Sequence, residues 1–187
     1  MASKVDICNR ALDLIGAERI TSLNEDSKSG KLCLRNYDKS RDAVLEAHDW
    51  SSCVKRTTLA PLAEAPEFQY ANQFQLPSDC IRVLEAYSAT SLPEKEGRRL
   101  LSDDNAINLK YVARVDDPNE YDPALRELIA YKLAADICFA ITNNSSMTQY
   151  MANEYRVQLA ETRSIDSAQA RTDKTYISSS GIFNVIL

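Results

Sequence analysis

The run Pro123-Ala124-Leu125-Arg126-Glu127-Leu128-Ile129-Ala130-Tyr131-Lys132-Leu133-Ala134-Ala135-Asp136-Ile137-Cys138-Phe139-Ala140-Ile141 decides the fold. Leu125, Ile129, Leu133, Ile137 and Ile141 recur every fourth residue, flanked by Leu128, Ala135 and Phe139. That spacing lays one continuous apolar ridge along a helix. Pro123 suits the first helical turn, and Asp122 stands where a cap belongs. This helix is the expected spine of the core.

Outward from the spine, Asn143-Asn144-Ser145-Ser146 breaks the helix and opens a fourth, expected near 147–170. There Met147, Met151, Tyr155 and Leu159 form a row that fades after Ile165, so its outer half is expected to project from the core. On the other side of the spine, residues 53–114 change character. Val54–Leu59, Phe68–Leu76, Ile81–Tyr87, Arg99–Leu101 and Asn108–Val112 read as short strands, punctuated by Pro61, Pro66, Pro77 and Pro93. Two helices precede them. In the first, near 4–16, Val5, Cys8, Leu12 and Ile15 form a stripe between a Ser3 cap and a Gly16 stop. The second runs over 29–47 with Leu34, Tyr37, Arg41, Val44, Leu45 and His48 on one face, and ends in His48-Asp49-Trp50. The expected fold class is mainly α with a β-rich middle: about four helices in a bundle, a small antiparallel sheet and an extended C-terminal arm. Residues 1–171 are read as a single domain and 172–187 as the arm.

A chain of 187 residues that is 44% hydrophobic can bury a core without disulfides or metals, and only 4 glycines argue against a turn-rich all-β fold. Its net charge of -5 disfavours gripping nucleic acid or anionic membrane, yet suits a wall past which DNA slips without being held. Cys8, Cys33, Cys53, Cys80 and Cys138 are odd in number and widely spaced, which reads as buried free thiols in a reducing compartment. The opening Met1-Ala2-Ser3-Lys4 lacks the apolar stretch of a signal peptide, and no run is long enough to span a membrane. Synthesis in a cytoplasm, with no membrane partner, is the expectation.

Candidate chemistry is thin. His48 is the only histidine, so Ser/His or Cys/His catalysis would depend on it. Its place at a helix end instead suits a dipole-complementing residue. Asp103-Asp104 and Asp116-Asp117 could be imagined as paired carboxylates, but adjacent acids in loops usually mark solvated turns. Phosphate-loop, dinucleotide, zinc-protease and calcium-loop motifs do not occur. No catalytic residue, metal ligand or cofactor is assigned. Trp50, the sole tryptophan, reads as a plug at the end of the second helix rather than a stacking platform. Lys4, Arg10, Arg19, Lys28 and Lys31 are interleaved with acids, and with Arg98 and Arg99 they read as ordinary solvated faces. The exposed risk lies at the C-terminus. Ile182, Phe183, Val185, Ile186 and Leu187 need a cover, which is either the protein's own core or a partner, reached by adding a strand to an exposed edge.

Four motifs then occur in order. They are Ile7-Cys8-Asn9-Arg10-Ala11-Leu12-Asp13-Leu14-Ile15-Gly16, and Arg41 through His48-Asp49-Trp50-Ser51 into Lys55-Arg56. After them come Leu76-Pro77-Ser78-Asp79-Cys80-Ile81-Arg82-Val83-Leu84-Glu85-Ala86 and the acidic turn 116–122 before the long helix. In this order, over residues 5 to about 165, the chain resembles the tail tubular protein A group of tailed bacteriophages, the head-to-tail adaptors. Where that family often continues with an aromatic after Trp-Ser, this chain has Ser52-Cys53. The resemblance implies a structural virion protein and not an enzyme, placed at the head-tail junction as a ring of about twelve copies. Its implied partners are the portal protein above, a nozzle-type tail protein below and its own copies, with DNA passing through unbound. The arm, with Tyr176 and Ile177 ahead of the terminal apolar residues, is then the expected portal contact. Two rival classes are a tail-associated hydrolase and a small intracellular partner-binding protein.

Overall fold

The computed structural model describes the backbone of residues 2–180 and the side chains of residues 2–169. The described helices are α1 (Lys4–Leu14), α2 (Lys28–Glu46), α3 (Pro123–Thr142) and α4 (Ser145–Ser180). The strands are β1 (Val54–Leu59), β2 (Asn72–Gln75), β3 (Cys80–Tyr87), β4 (Glu94–Glu96), β5 (Arg99–Ser102) and β6 (Ile107–Ala113). The chain is therefore mainly helical with a β-rich middle, as its periodicities dictate. It divides into a helical unit (residues to Val44, Trp50–Ser52, and from Asp117 on) and a β unit (Leu45–Asp49 and Cys53–Asp116).

In the helical unit, α1 begins on a reciprocal cap. Ser3 Oγ accepts from the Asp6 amide at 3.1 Å, while the Asp6 carboxylate accepts from the Ser3 amide at 2.8 Å. Two of the otherwise orphaned N-terminal donors are thereby satisfied. The helix stops where Gly16 takes a positive φ of 67°. Asn9 then fastens the following loop, donating to the Ile20 carbonyl at 2.9 Å and accepting from its amide at 2.8 Å. Along α3, Leu125, Leu128, Ile129, Leu133 and Ile137 are buried, joined by Ala130, Ala134 and Cys138. Asn143 ends α3 in the left-handed conformation, its amide bonded to the Phe139 carbonyl at 2.9 Å. Asn144 caps α4 by accepting from the Met147 amide at 3.0 Å. So short a link returns α4 antiparallel along α3.

Three helices bond to α3. Arg10 of α1 reaches Glu127 at 2.5 Å, Ser40 of α2 donates to Asp136 at 2.6 Å, and Lys132 lies 5.7 Å from the ring centre of Tyr155 on α4. The expected spine is the spine. Two of its expected neighbours are not in the core: Leu34 is 53% exposed and Phe139 56%. On α2 the buried face is instead Cys33, Tyr37, Ser40, Arg41 and Val44. Leu34 lies about 100° beyond Cys33, past the edge of this buried face.

On α4 the apolar row has already ended at Ile165, which is itself exposed, and the inward positions there are the polar Thr162 and Asp166, both buried. The helix also runs to Ser180, past the expected end at 170.

The β unit has two three-stranded antiparallel sheets where the sequence suggested one. β6 is central in the order β1-β6-β3, and β5 is central in β2-β5-β4. From β6, Ile107, Leu109, Tyr111 and Ala113 alternate inward and meet Phe74 of β2 and Leu100 of β5 in one buried cluster. This is the period-2 pattern of two sheets packed face to face. Burial and the nearby Asp79 push the Tyr111 phenol up to about 12. The β2 strand begins at Asn72, later than expected, and Phe68 ahead of it is 77% exposed. β4, a wholly exposed Glu94-Lys95-Glu96, was not anticipated because it has no apolar alternation. Gly97, with φ of 55°, makes the tight turn from β4 to β5.

Candidate partner-binding surfaces

Most polar residues that might have carried chemistry hold the fold. His48 is half-buried in the turn after α2, and its neighbour Asp49 pairs with Arg82 of β3. Trp50 is 1% exposed and donates from Nε1 to the Val44 carbonyl at 2.8 Å. With Leu125 and Ile165 it borders a notch of only about 10 Å³, too small for any ligand. The indole is a packed anchor.

The acidic pairs are loop fasteners. Asp103 accepts from the Ala71 amide at 2.9 Å, and Asp104 from the Thr90 amide at 2.9 Å and its hydroxyl at 3.0 Å. Asp117 accepts from the Asn119 amide at 2.9 Å and caps the 3₁₀ turn Pro118–Glu120 ahead of α3. These backbone donors hold the Asp104 and Asp117 carboxyls below the usual carboxylate range. Among the described residues, no group of three or more His, Cys, Asp or Glu side chains could hold a metal ion. All five cysteines are buried free thiols, and its hydrogen bond with Cys33 together with burial pushes the Cys8 thiol well up.

The scattered cations are largely committed as well. Arg19 pairs with Asp13 at 2.7 Å, Lys31 with Asp26, and Lys4 lies 5.6 Å from the Tyr37 ring centre. Arg98 donates to the Pro77 carbonyl at 2.5 Å, and Arg99 to Gln73 Oε1 at 2.7 Å. These are structural ties rather than a phosphate-gripping array.

Two open grooves mark the β unit. On the outer face of the β1-β6-β3 sheet, a groove of about 340 Å³ is lined by Arg56, Glu85, Tyr87, Asn108 and Lys110 among others. Glu85 accepts from Lys110 and from the Tyr87 hydroxyl, each at 2.7 Å, and Lys110 chiefly holds it below the usual range. A second groove, about 350 Å³, lies where Glu64–Tyr70 passes Gln73, Glu96, Arg99 and Leu101. Neither is lined by histidine or cysteine. Their charged and aromatic walls suit non-covalent contact with another surface.

On the helical unit, Leu34, Phe139, Tyr150, Val157 and Ile165 are exposed. Sequence reading missed this set because each sits in an otherwise amphipathic helix and was assigned to the core or left unplaced. Of the arm residues, Tyr176 and Ile177 fall within the α4 backbone, with their side chains outside the described residues. Ile182, Phe183, Val185, Ile186 and Leu187 lie outside the described residues altogether. Among the described residues no helix is long and apolar enough to cross a membrane. No protein-family model matches this chain, and no curated protein matches it either.

Proposed function

We propose that this protein is a structural virion component, a head-to-tail adaptor of a tailed phage that forms a ring beneath the portal and joins it to the tail. The observation that carries the reading is the order of the four sequence motifs, each of which sits at a structural joint. The first motif is α1 with its left-handed Gly16 stop, and the second ends α2 on the buried Trp50. The third runs from the Pro77 turn, where the Cys80 amide bonds the Pro77 carbonyl at 3.0 Å, into β3. The fourth is the Asp117-capped turn that launches α3. In this reading residues 1–171 act as one adaptor body and the C-terminal arm reaches the portal. A nozzle-type tail protein binds the opposite end, and DNA passes through without specific contact.

Commitment of the polar groups to capping, turns and ion pairs supports a scaffold over the hydrolase alternative. Surface apolar side chains on both units support a protein that works by contact. Native mass spectrometry of the protein with purified portal particles tests the reading. Portal-bound rings of about twelve subunits are expected. A species that stays monomeric and never associates with portal overturns it.

A further inference from the structure

We propose that copies of this chain join head to tail through two different helix faces, the basic outer face of α2 on one copy and the acidic, apolar outer face of α4 on the next. The inference rests on the ring-adaptor reading and names the contact within it. Along the first three turns of α2, Lys28, Lys31, Arg35 and Lys39 are exposed at three- and four-residue spacing, which lines them on one side of the helix. Arg35 and Lys39 have no acidic partner among the described residues. Exposed Leu34 flanks this stripe.

α4 presents the complement. Tyr150, Val157 and Ile165 are exposed at seven- and eight-residue spacing, a seam along one side of the helix. Glu154 and Glu161 share that side and are its only charges among the described residues. The inward face, Met151, Thr162 and Asp166, lies roughly a third of a turn away. The seam is therefore left over after α4 has packed on its own unit.

The two faces do not serve each other within one copy. Ser40 of α2 and Tyr155 of α4 both meet the Lys132–Asp136 pair of α3, yet among the described residues neither Arg35 nor Lys39 pairs with Glu154 or Glu161. Two different, complementary faces on one subunit make a heterologous contact, the type that forms a ring when its rotation closes. Duplex DNA is the rival occupant for the α2 stripe. It is disfavoured by Leu34 at its flank, by Asp38 and Asp42 on the same helix, and by the net charge of -5.

The test is a charge swap read by analytical ultracentrifugation, with circular dichroism as the folding control. One variant carries Arg35→Glu and Lys39→Glu; the other carries Glu154→Lys and Glu161→Lys. Arg35, Lys39 and Glu161 are exposed and Glu154 is half-buried, so folding should be retained. Each variant alone should associate roughly tenfold or more weakly than the wild type, because like charges then face each other. An equimolar mixture should recover assembly, since each swapped face then meets an opposite charge, and so should the chain carrying all four changes. Recovery in the mixture also excludes misfolding as the cause of the single losses. Wild-type-like assembly of both variants overturns the contact while leaving the adaptor reading to the portal experiment. So does loss of duplex DNA binding by the first variant with assembly unchanged. A wild-type protein that never self-associates at its highest soluble concentration overturns it too, again independently of portal binding.

Discussion

The hydroxyl of Ser51 donates to Asp166 Oδ1 at 2.5 Å, and the Ser51 amide donates to the same oxygen at 3.0 Å. One buried carboxylate thus fastens the 3₁₀ turn after Trp50 to α4, 115 residues further along the chain. A charged acceptor that takes two donors is among the stronger hydrogen-bonding arrangements, and removing it strands both.

Asp166→Ala is therefore expected to destabilise the protein by about 1–3 kcal/mol. Urea unfolding followed by Trp50 fluorescence reads the loss directly, since the indole lies next to this turn. An unchanged midpoint would mean that water replaces the carboxylate without cost.

In the β unit, Phe74→Ala should cost about 3–5 kcal/mol and Leu100→Ala about 2–5, because each leaves a cavity in the core shared by the two sheets. Phe68→Ala, at a side chain almost fully in solvent, should change stability by less than about 0.5 kcal/mol. Thermal denaturation of the three variants separates these outcomes. Equal losses would place Phe68 in the core after all.

That contrast shows what sequence could and could not reveal. The α3 ridge was legible because burial on one side of a long helix imposes a four-residue apolar repeat, and β6 was legible because alternation exposed Leu109 and Tyr111. Phe68, Leu34 and Phe139 misled because an apolar side chain is evidence of burial only statistically. β4 was invisible, since an exposed edge strand has no face to hide and so no alternation. Thr162 and Asp166 were missed because both are polar at inward positions, Asp166 being held there by its hydrogen bonds with Ser51. The outward faces of α2 and α4 were not legible, because only packing shows which side of an amphipathic helix remains unused.

Acidification supplies a third test. Hydrogen bonds from Ser3 hold the Asp6 carboxyl below its ordinary value, and the Asn119 and Thr90 amides do the same for Asp117 and Asp104. A group whose folded value is depressed contributes stability that is complete above its unfolded value, near 4, and is lost as pH falls through the folded one. Urea midpoints should therefore hold level from pH 7 to about 5 and drop on approach to pH 3. Asp6→Asn should flatten part of that drop. A midpoint that rises on acidification contradicts the assignment.

The arm gives a fourth. The buried positions Thr162 and Asp166 precede residue 172, so truncation after Thr172 should leave the melting temperature nearly unchanged. Portal attachment, measured by co-sedimentation, should be abolished. Each apolar side chain buried by the arm contributes roughly 1.5–3 kcal/mol before ordering costs. Ordering takes back about 1–2 kcal/mol per residue, so in the proposed ring one arm would bind modestly and the arms together would act through avidity. Unfolding on truncation would show that the segment belongs to the core. Full attachment without it would move the contact to the helices.

The strand Glu94-Lys95-Glu96 is a charge palindrome on an open sheet edge. If two copies met edge to edge in full antiparallel register, Lys95 would face Lys95 and each Glu94 would face Glu96. Full parallel register likewise sets every residue against itself. Both arrangements put like charge opposite like charge, which disfavours pairing. This edge is thus self-excluding: free subunits can accumulate without pairing strand to strand through β4, leaving side-chain surfaces to govern recognition there.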